Sequence, residues 1–444
     1  MASISASTTH KMKIKSKISS STTTKKRTTT KKGTNGKTTG ILTFAKTSRR
    51  PSAPKLIPNN NTEDISIASL SKEEQKDQVK SLLLNVFGED SIFHGHKIDK
   101  PHKASTSSDR MKAAADLAIV TKSLGVIKVL KEMNVLLSIE RILLTENCTI
   151  SWLVDKNQDM KRVTSTASLA SMNSAGSFGA STAASVTDAK KGKTSAINAR
   201  EGSLFYIRAL CEIVERSAEP FVVPLLAAAL DETWSSNSSI REAAEDTCRA
   251  IISVASPLSA PAIIIPVLSQ ALQLSGEWRV KENALNCISQ LSAKDKAPRE
   301  VCRYLQALIP ILVSQVWDTK AQVVHAAQNC LFATCSTISN PDVKPSLPEL
   351  ITAMVKPSET LAAIDKLLGT TFVAPVDAPT LAILCPILSR ALKEKLAIHK
   401  RSACIILENM SRLVDAPASL QPFGHLLVPE LNKVIIIHEN FHCK

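Results

Sequence analysis

The chain has 444 residues, of which 44% are apolar, 4% are aromatic and 13 are glycine. At about 150 residues per domain that length suggests roughly three domains, a rule that repeats can break. Only Gly202, Gly276, Gly369 and Gly424 fall between 201 and 444. Sheets and glycine-rich ligand loops need more glycine and more aromatics than this, so a dinucleotide-binding or barrel enzyme is excluded in favour of an all-α chain. Collagen-like, disulfide-scaffold and wholly disordered classes are excluded as well. The formal charge of +15 is uneven: residues 1–62 hold 14 Lys and Arg and no acid, and the rest is nearly neutral.

Residues 1–62 are rich in Ser, Thr and Lys and too poor in apolar groups to offset chain entropy, so a disordered tail is expected. Three roles fit its composition: a polybasic arm for RNA or a membrane surface, an organelle transit peptide, or a nuclear signal around KKRTTTKK. Residues 63–109 read as a linker with one short helix at 72–88. Residues 110–160 read as a degenerate helical hairpin broken near Gly125, its apolar positions being Leu117, Val120, Leu124, Ile127, Leu130, Leu137 and Leu144. Residues 161–194 are Ser/Ala-rich and read as a flexible, low-complexity insertion.

From 195 to 437 the chain repeats itself. Six segments share an apolar-Pro-apolar-Leu form or one close to it: VVPLLAAAL, IIPVLSQAL, LIPILVSQV, SLPELITAM, LCPILSRAL and LVPELNKVI. Their prolines, Pro224, Pro266, Pro310, Pro348, Pro386 and Pro429, are spaced by 42, 44, 38, 38 and 43 residues. An amphipathic first helix precedes each, near 198–216, 239–254, 278–292, 320–337, 358–369 and 396–414. Two helices per roughly 40 residues is the HEAT period, so the fold expected is an α-solenoid, an armadillo-type superhelix of about six helix pairs. The prolines are expected early in each second helix, where the missing N–H is not needed.

Cys211, Cys248, Cys287, Cys330 and Cys404 follow the same beat at steps of 37, 39, 43 and 74, with Leu367 in the skipped register. Small side chains at one repeated position indicate a packed face, not a metal site. There is no CxxC pair and no secretory core, so reduced thiols are expected. Residues 250–276 carry no charge, a length that would span a bilayer, but Pro257, Pro261, Pro266 and several Ser and Gln make them two short helices joined near Pro257.

Chemical motifs are weak. GTNGKTTG (Gly33 to Gly40) lacks the first P-loop glycine, Lys31 standing there, and has no strand–helix frame. LSGE at Leu274 falls at an inter-repeat turn. His94, His96 and His102, and His438, His442 and Cys443, read as solvated positions without the frame a metal site requires. No catalytic constellation, cofactor, metal or small-molecule substrate is indicated. Basic residues recur at first-helix starts: Arg241, Arg279, Lys281, Lys320, Lys400 and Arg401. They form either a ladder of ion pairs, for instance with Asp318, or a basic edge for phosphate. The densest cluster, read as one loop, is Arg390, Lys393, Lys395, Lys400 and Arg401 against the single acid Glu394; a second is Lys294, Lys296, Arg299 and Arg303.

The run from Leu367 to Pro417, LLGTTFVAPVDAPTLAILCPILSRALKEKLAIHKRSACIILENMSRLVDAP, resembles the N-terminal HEAT domain of translation elongation factor 3, and so do WDTKAQVVHAA (Trp317 to Ala327) and ALIPIL. The resemblance covers about 195–435; residues 1–194 match weakly or not at all. It implies an ABC-type ATPase family that acts on the ribosome and helps clear deacylated tRNA. Its HEAT domain docks on small-subunit RNA and proteins, and two later cassettes carry the ATPase. Neither cassette is in this chain, so the resemblance implies translation and ribosome binding without enzyme activity, in the cytoplasm. The HEAT protein that senses stalled ribosomes for the starvation kinase is a second relative. The chain stops soon after Val434–Ile437 with no further pair, which reads as a truncated product or a fragment. A protein–protein scaffold is the alternative function.

Overall fold

The computed structural model describes residues 71–88, 106–144 and 183–442, with side chains in the last segment from 194 to 435. Everything built from them is helical. Among the described residues the sole β contact is an isolated bridge between Val376 and Val414.

Three helices precede the repeats: α1 (Lys72–Phe87), α2 (Ser107–Leu124) and α3 (Val135–Leu143). Capping boxes start the first two, Ser71 with Glu74 and Thr106 with Asp109, each satisfying two N–H groups that a helix start leaves open. Gly125, at a φ of 98°, ends α2 in a backbone region that a side chain would oppose. After a π-helical turn, Asn134 at a φ of 58° resets the chain for α3. The apolar face expected for this stretch is only partly inward: Leu117, Val120 and Leu130 are buried, whereas Ile127, Leu137 and Leu144 face solvent. The second break, at Asn134, rotates the register for Leu137 and Leu144, which the sequence pattern carries unbroken.

The repeats begin with α4 (Ala183–Ala209), which starts inside the segment expected to be a flexible insertion. It runs into a π-helical turn, Leu210–Val214, and then through short irregular turns to α5 (Leu226–Asp231). Then come α6 (Ser238–Val254) and α7 (Ile265–Leu274), α8 (Trp278–Leu291) with α9 (Pro298–Arg303) and α10 (Leu305–Gln315), and α11 (Ala321–Cys335) with α12 (Leu347–Val355). α13 (Thr360–Leu368) with α14 (Ala378–Leu392) and α15 (Ala397–Ser411) with α16 (Gly424–His442) complete six pairs. Each pair buries its face against its neighbours, which is how a solenoid accumulates a core one rung at a time. No helix among the described residues is long and apolar enough to cross a membrane, and 250–276 falls on two helices.

The prolines depart from expectation. Pro266 and Pro348 do open second helices, and Pro224 sits in a 3-10 turn before α5. Pro310, Pro386 and Pro429 instead lie inside helices. An interior proline leaves the carbonyl four residues earlier without its helical donor; around Pro310 this falls on Gln306, an exposed residue.

The turns from first to second helix are stitched together in the last three pairs. Asp342 Oδ2 accepts from Val373 N and Ala374 N, both at 2.7 Å, and Asn340 Nδ2 donates to Pro375 O at 3.0 Å. Val376 N donates to Leu413 O at 2.8 Å and Asp415 N to Val376 O at 3.1 Å.

Candidate functional site

The cysteine register is a packing device. Cys211, Cys248, Cys287 and Cys330 are at most 2% exposed, Leu367 is fully buried, and Cys404 is partly exposed. Burial pushes the thiols of Cys287 and Cys330 up to about 12, and that of Cys248 well above the ordinary value. A nucleophilic or metal-binding cysteine requires the opposite shift. Among the described residues, no three His, Cys, Asp or Glu side chains converge as a metal site requires. His94, His96, His102 and GTNGKTTG lie outside the described residues, and so do the side chains of His438, His442 and Cys443. LSGE forms a turn between α7 and α8, with Glu277 N donating to Ser275 Oγ at 3.1 Å.

The structure divides the basic residues. The cluster read as one loop from Arg390 to Arg401 is mostly helix: the connecting turn is only 393–396, Arg390 belongs to α14, and Lys400 and Arg401 to the first turns of α15. Arg390 points inward. Its Nη1 donates to Ala353 O of the preceding pair at 2.6 Å and to Thr360 Oγ1 of its own pair at 3.3 Å, tying the two pairs together, and burial lowers its pKa. Lys393, Lys395 and Arg401 are exposed and Lys400 half-buried.

The second cluster occupies the other end of the helix pairs, after α8. Lys294 and Arg299 are exposed there, and Lys296 reaches back to Ser253 O at 3.2 Å and to Asp295 at 3.4 Å. With α8 about 20 Å long, the two clusters sit on opposite edges and form no single patch.

Of the recurrent positions at first-helix starts, several are spent locally. Arg241 Nη1 donates to Ser235 O and Ser236 O at 2.7 and 2.9 Å. The Arg279 guanidinium lies over the Trp278 ring, 4.5 Å from its centroid. Lys281 pairs with Asp318 at 2.9 Å, as the ion-pair reading expects. Burial alone would raise the Asp318 carboxyl, but the Lys320 N–H and the Lys281 ammonium outweigh it and hold the pKa low. The sequence reading missed the exposed apolar residues on this edge, Trp234, Leu274, Trp317, Leu396 and Ile398. An exposed and a buried apolar residue look alike in a sequence; the available signal was their position at or near the connection from a second helix to the next first helix.

Residues 161–331 match the family model described as EF3 N-terminal HEAT repeat, and residues 359–439 match Elongation factor 3/GNC1 HEAT repeat. The repeat body is a HEAT domain of the elongation factor 3 family. The first match begins at 161, so this HEAT domain includes sequence read above as an insertion that departs from the family. Elongation factor 3 of Phytophthora infestans is 37% identical over 226 residues, covering 51% of this chain and 22% of its own length. That of Candida albicans is 36% identical over 215 residues, 48% of this chain and 20% of its own. Protein ILITYHIA of Arabidopsis thaliana is 34% identical over 244 residues, 53% of this chain and 9% of its own. The chain therefore spans about a fifth of the length of the elongation factors it matches.

Proposed function

We propose that this HEAT domain is a cytoplasmic ribosome-binding module acting in translation elongation, and that it docks through the turn between α14 and α15 without contributing a catalytic group. The observation that carries this reading is the concentration of Lys393, Lys395, Lys400 and Arg401 around one acid, Glu394, on a body that is otherwise nearly neutral. Among the described residues none of those four cations is in an ion pair, so their charge remains available to phosphate. Lys294 and Arg299 on the opposite edge are a secondary contact in this reading, and Arg390 is a strut.

The test is ribosome co-sedimentation across a salt series. Each lost phosphate contact lowers the log–log salt slope by about one unit or slightly less. With Lys393, Lys395, Lys400 and Arg401 changed together to Glu, binding at moderate salt is expected to weaken while helicity is unchanged. Co-sedimentation identical to wild type at every salt concentration would falsify the assignment. A second reading, a regulatory protein–protein scaffold, is favoured by the match to ILITYHIA over 53% of the chain. It predicts stable protein partners that persist after ribosomes are removed.

A further inference from the structure

Between 231 and 397 five turns lead from a second helix to the next first helix. Four present a large apolar side chain to solvent: Trp234 (46% exposed), Leu274 (47%), Trp317 (66%) and Leu396 (61%), the last joined by Ile398 (67%). The intervals are 40, 43 and 79 residues, the longest spanning the one turn that carries exposed Lys356 instead. A single exposed apolar residue is ordinary. Recurrence at one register of a stacked repeat is different, because stacking puts that register along one edge. The Lys281–Asp318 pair shows the adjacency directly, joining the start of α8 to the turn that holds Trp317.

Cations line the same edge. Lys320, Lys356, Lys393, Lys395 and Arg401 are exposed, and among the described residues none is in an ion pair. Asp318 is already occupied by Lys281 and the Lys320 N–H.

We propose that this edge binds an extended, acidic segment of a partner protein, which lays one apolar side chain on each rung and sets carboxylates beside the lysines. Stacked helices repeat at about 10 Å or slightly less. A chain in the extended polyproline II conformation advances about 3.1 Å per residue and returns its side chains to one face every third residue, so every third residue meets a rung. The register that follows has apolar residues at i, i+3 and i+6 over Trp234, Leu274 and Trp317. An acid at i+9 faces Lys356, and an apolar residue at i+12 meets Leu396 and Ile398. Nucleic acid fits this row poorly: stacked bases recur at about 3.4 Å and call for a flat face at each contact, whereas three of the five apolar groups are aliphatic. The surface shares its last rung with the ribosome-binding turn but stands on Trp234, Leu274 and Trp317, which that reading does not use.

The test is fluorescence anisotropy with the full chain and a labelled peptide carrying Leu at i, i+3, i+6 and i+12 and Asp elsewhere. Poly-Asp of equal length and oligo(U) RNA serve as competitors. The expected result is saturable binding that neither competitor displaces at equal concentration, with the native tryptophan emission shifting to the blue. Trp234→Ser with Trp317→Ser is expected to weaken it roughly tenfold or more, as loss of central aromatic anchors does. Both side chains are exposed, so circular dichroism should be unchanged. Binding by the double variant at wild-type strength, or equal displacement by poly-Asp or oligo(U), overturns the proposal. The double variant leaves the basic turn intact, so its ribosome co-sedimentation separates failure of this inference from failure of the ribosome reading.

Discussion

The N-terminal layer, α1 to α3, and the repeat body are both helical, yet they are held by different kinds of contact. The repeats use one pattern again and again: small buried side chains such as Cys248, Cys287 and Cys330 at equivalent positions of α6, α8 and α11. The layer is held by contacts that occur once. Arg110 on α2 is buried against Glu201 on α4, with Nε to Oε2 at 3.0 Å, and Ser107 and Ser239 also donate to that carboxylate. Tyr206 on α4 meets the Thr121 hydroxyl at 2.7 Å and the edge of the Phe87 ring. At Gly202 the backbone of α1 passes so close that an added Cβ would lie 1.9 Å from Val86 O. A repeated contact leaves a period in the sequence, whereas a unique one leaves no such trace.

The sharpest way to break this contrast is Glu201→Ala. Removing the carboxylate leaves the Arg110 guanidinium buried without it, which costs about 3–5 kcal/mol. The loss should be local: limited proteolysis is expected to release α1 and α2 while the repeats keep their helicity. A single cooperative loss of the whole molecule would show that layer and repeats are one energetic unit.

Gly202→Ala attacks the same junction by volume. The obstructing atoms are backbone, so no side chain can swing away, and the expected cost is about 1–3 kcal/mol. Detachment of α1, seen as faster amide exchange across 79–87, is the signature.

Within the repeats the effects are smaller. Cys287→Ala should cost on the order of 1 kcal/mol with no change in metal content. Its pH dependence carries a sign. Burial raises the thiols of Cys287, Cys330, Cys335 and Cys385 to about 12 from an ordinary value of 9.0. Between those limits the unfolded chain binds fewer protons than the folded one, so stability falls as pH rises above about 9. The alanine variant should lose stability less steeply over that window. The smallest effect is a labelling difference: at pH 8 in native protein, partly exposed Cys404 should react with a thiol reagent well before Cys287 or Cys330.

These contrasts also explain what could be read beforehand. The proline and cysteine beats placed the first helices from 238 onward to within a few residues, because each pair must satisfy the same stacking constraint. Pro310, Pro386 and Pro429 were misplaced because the pattern locates a proline relative to its neighbours and not to the helix end. The docking of α1 and α2 was illegible: nothing in an isolated Gly202 or Arg110 announces a partner about a hundred residues away. At the candidate site, charge density singled out Lys393, Lys395 and Arg401, and the structure leaves all three exposed. It could not tell Arg390 apart from them, since clamping Ala353 O and binding phosphate call for the same side chain.

The stitched turns between Asn340 and Asp415 bear on mechanics. Backbone and side-chain hydrogen bonds fasten three successive connections on one edge, while the opposite edge carries exposed apolar and charged groups. A stack laced along one side resists stretching there and flexes as a book does about its spine. Changes in curvature of the last three pairs therefore open or close the far edge, altering the distances from Trp317 to Lys356 and Leu396 while the spine keeps its length. A ligand spanning those rungs would set that curvature, and strain applied to the C-terminal pairs would set the affinity of the edge.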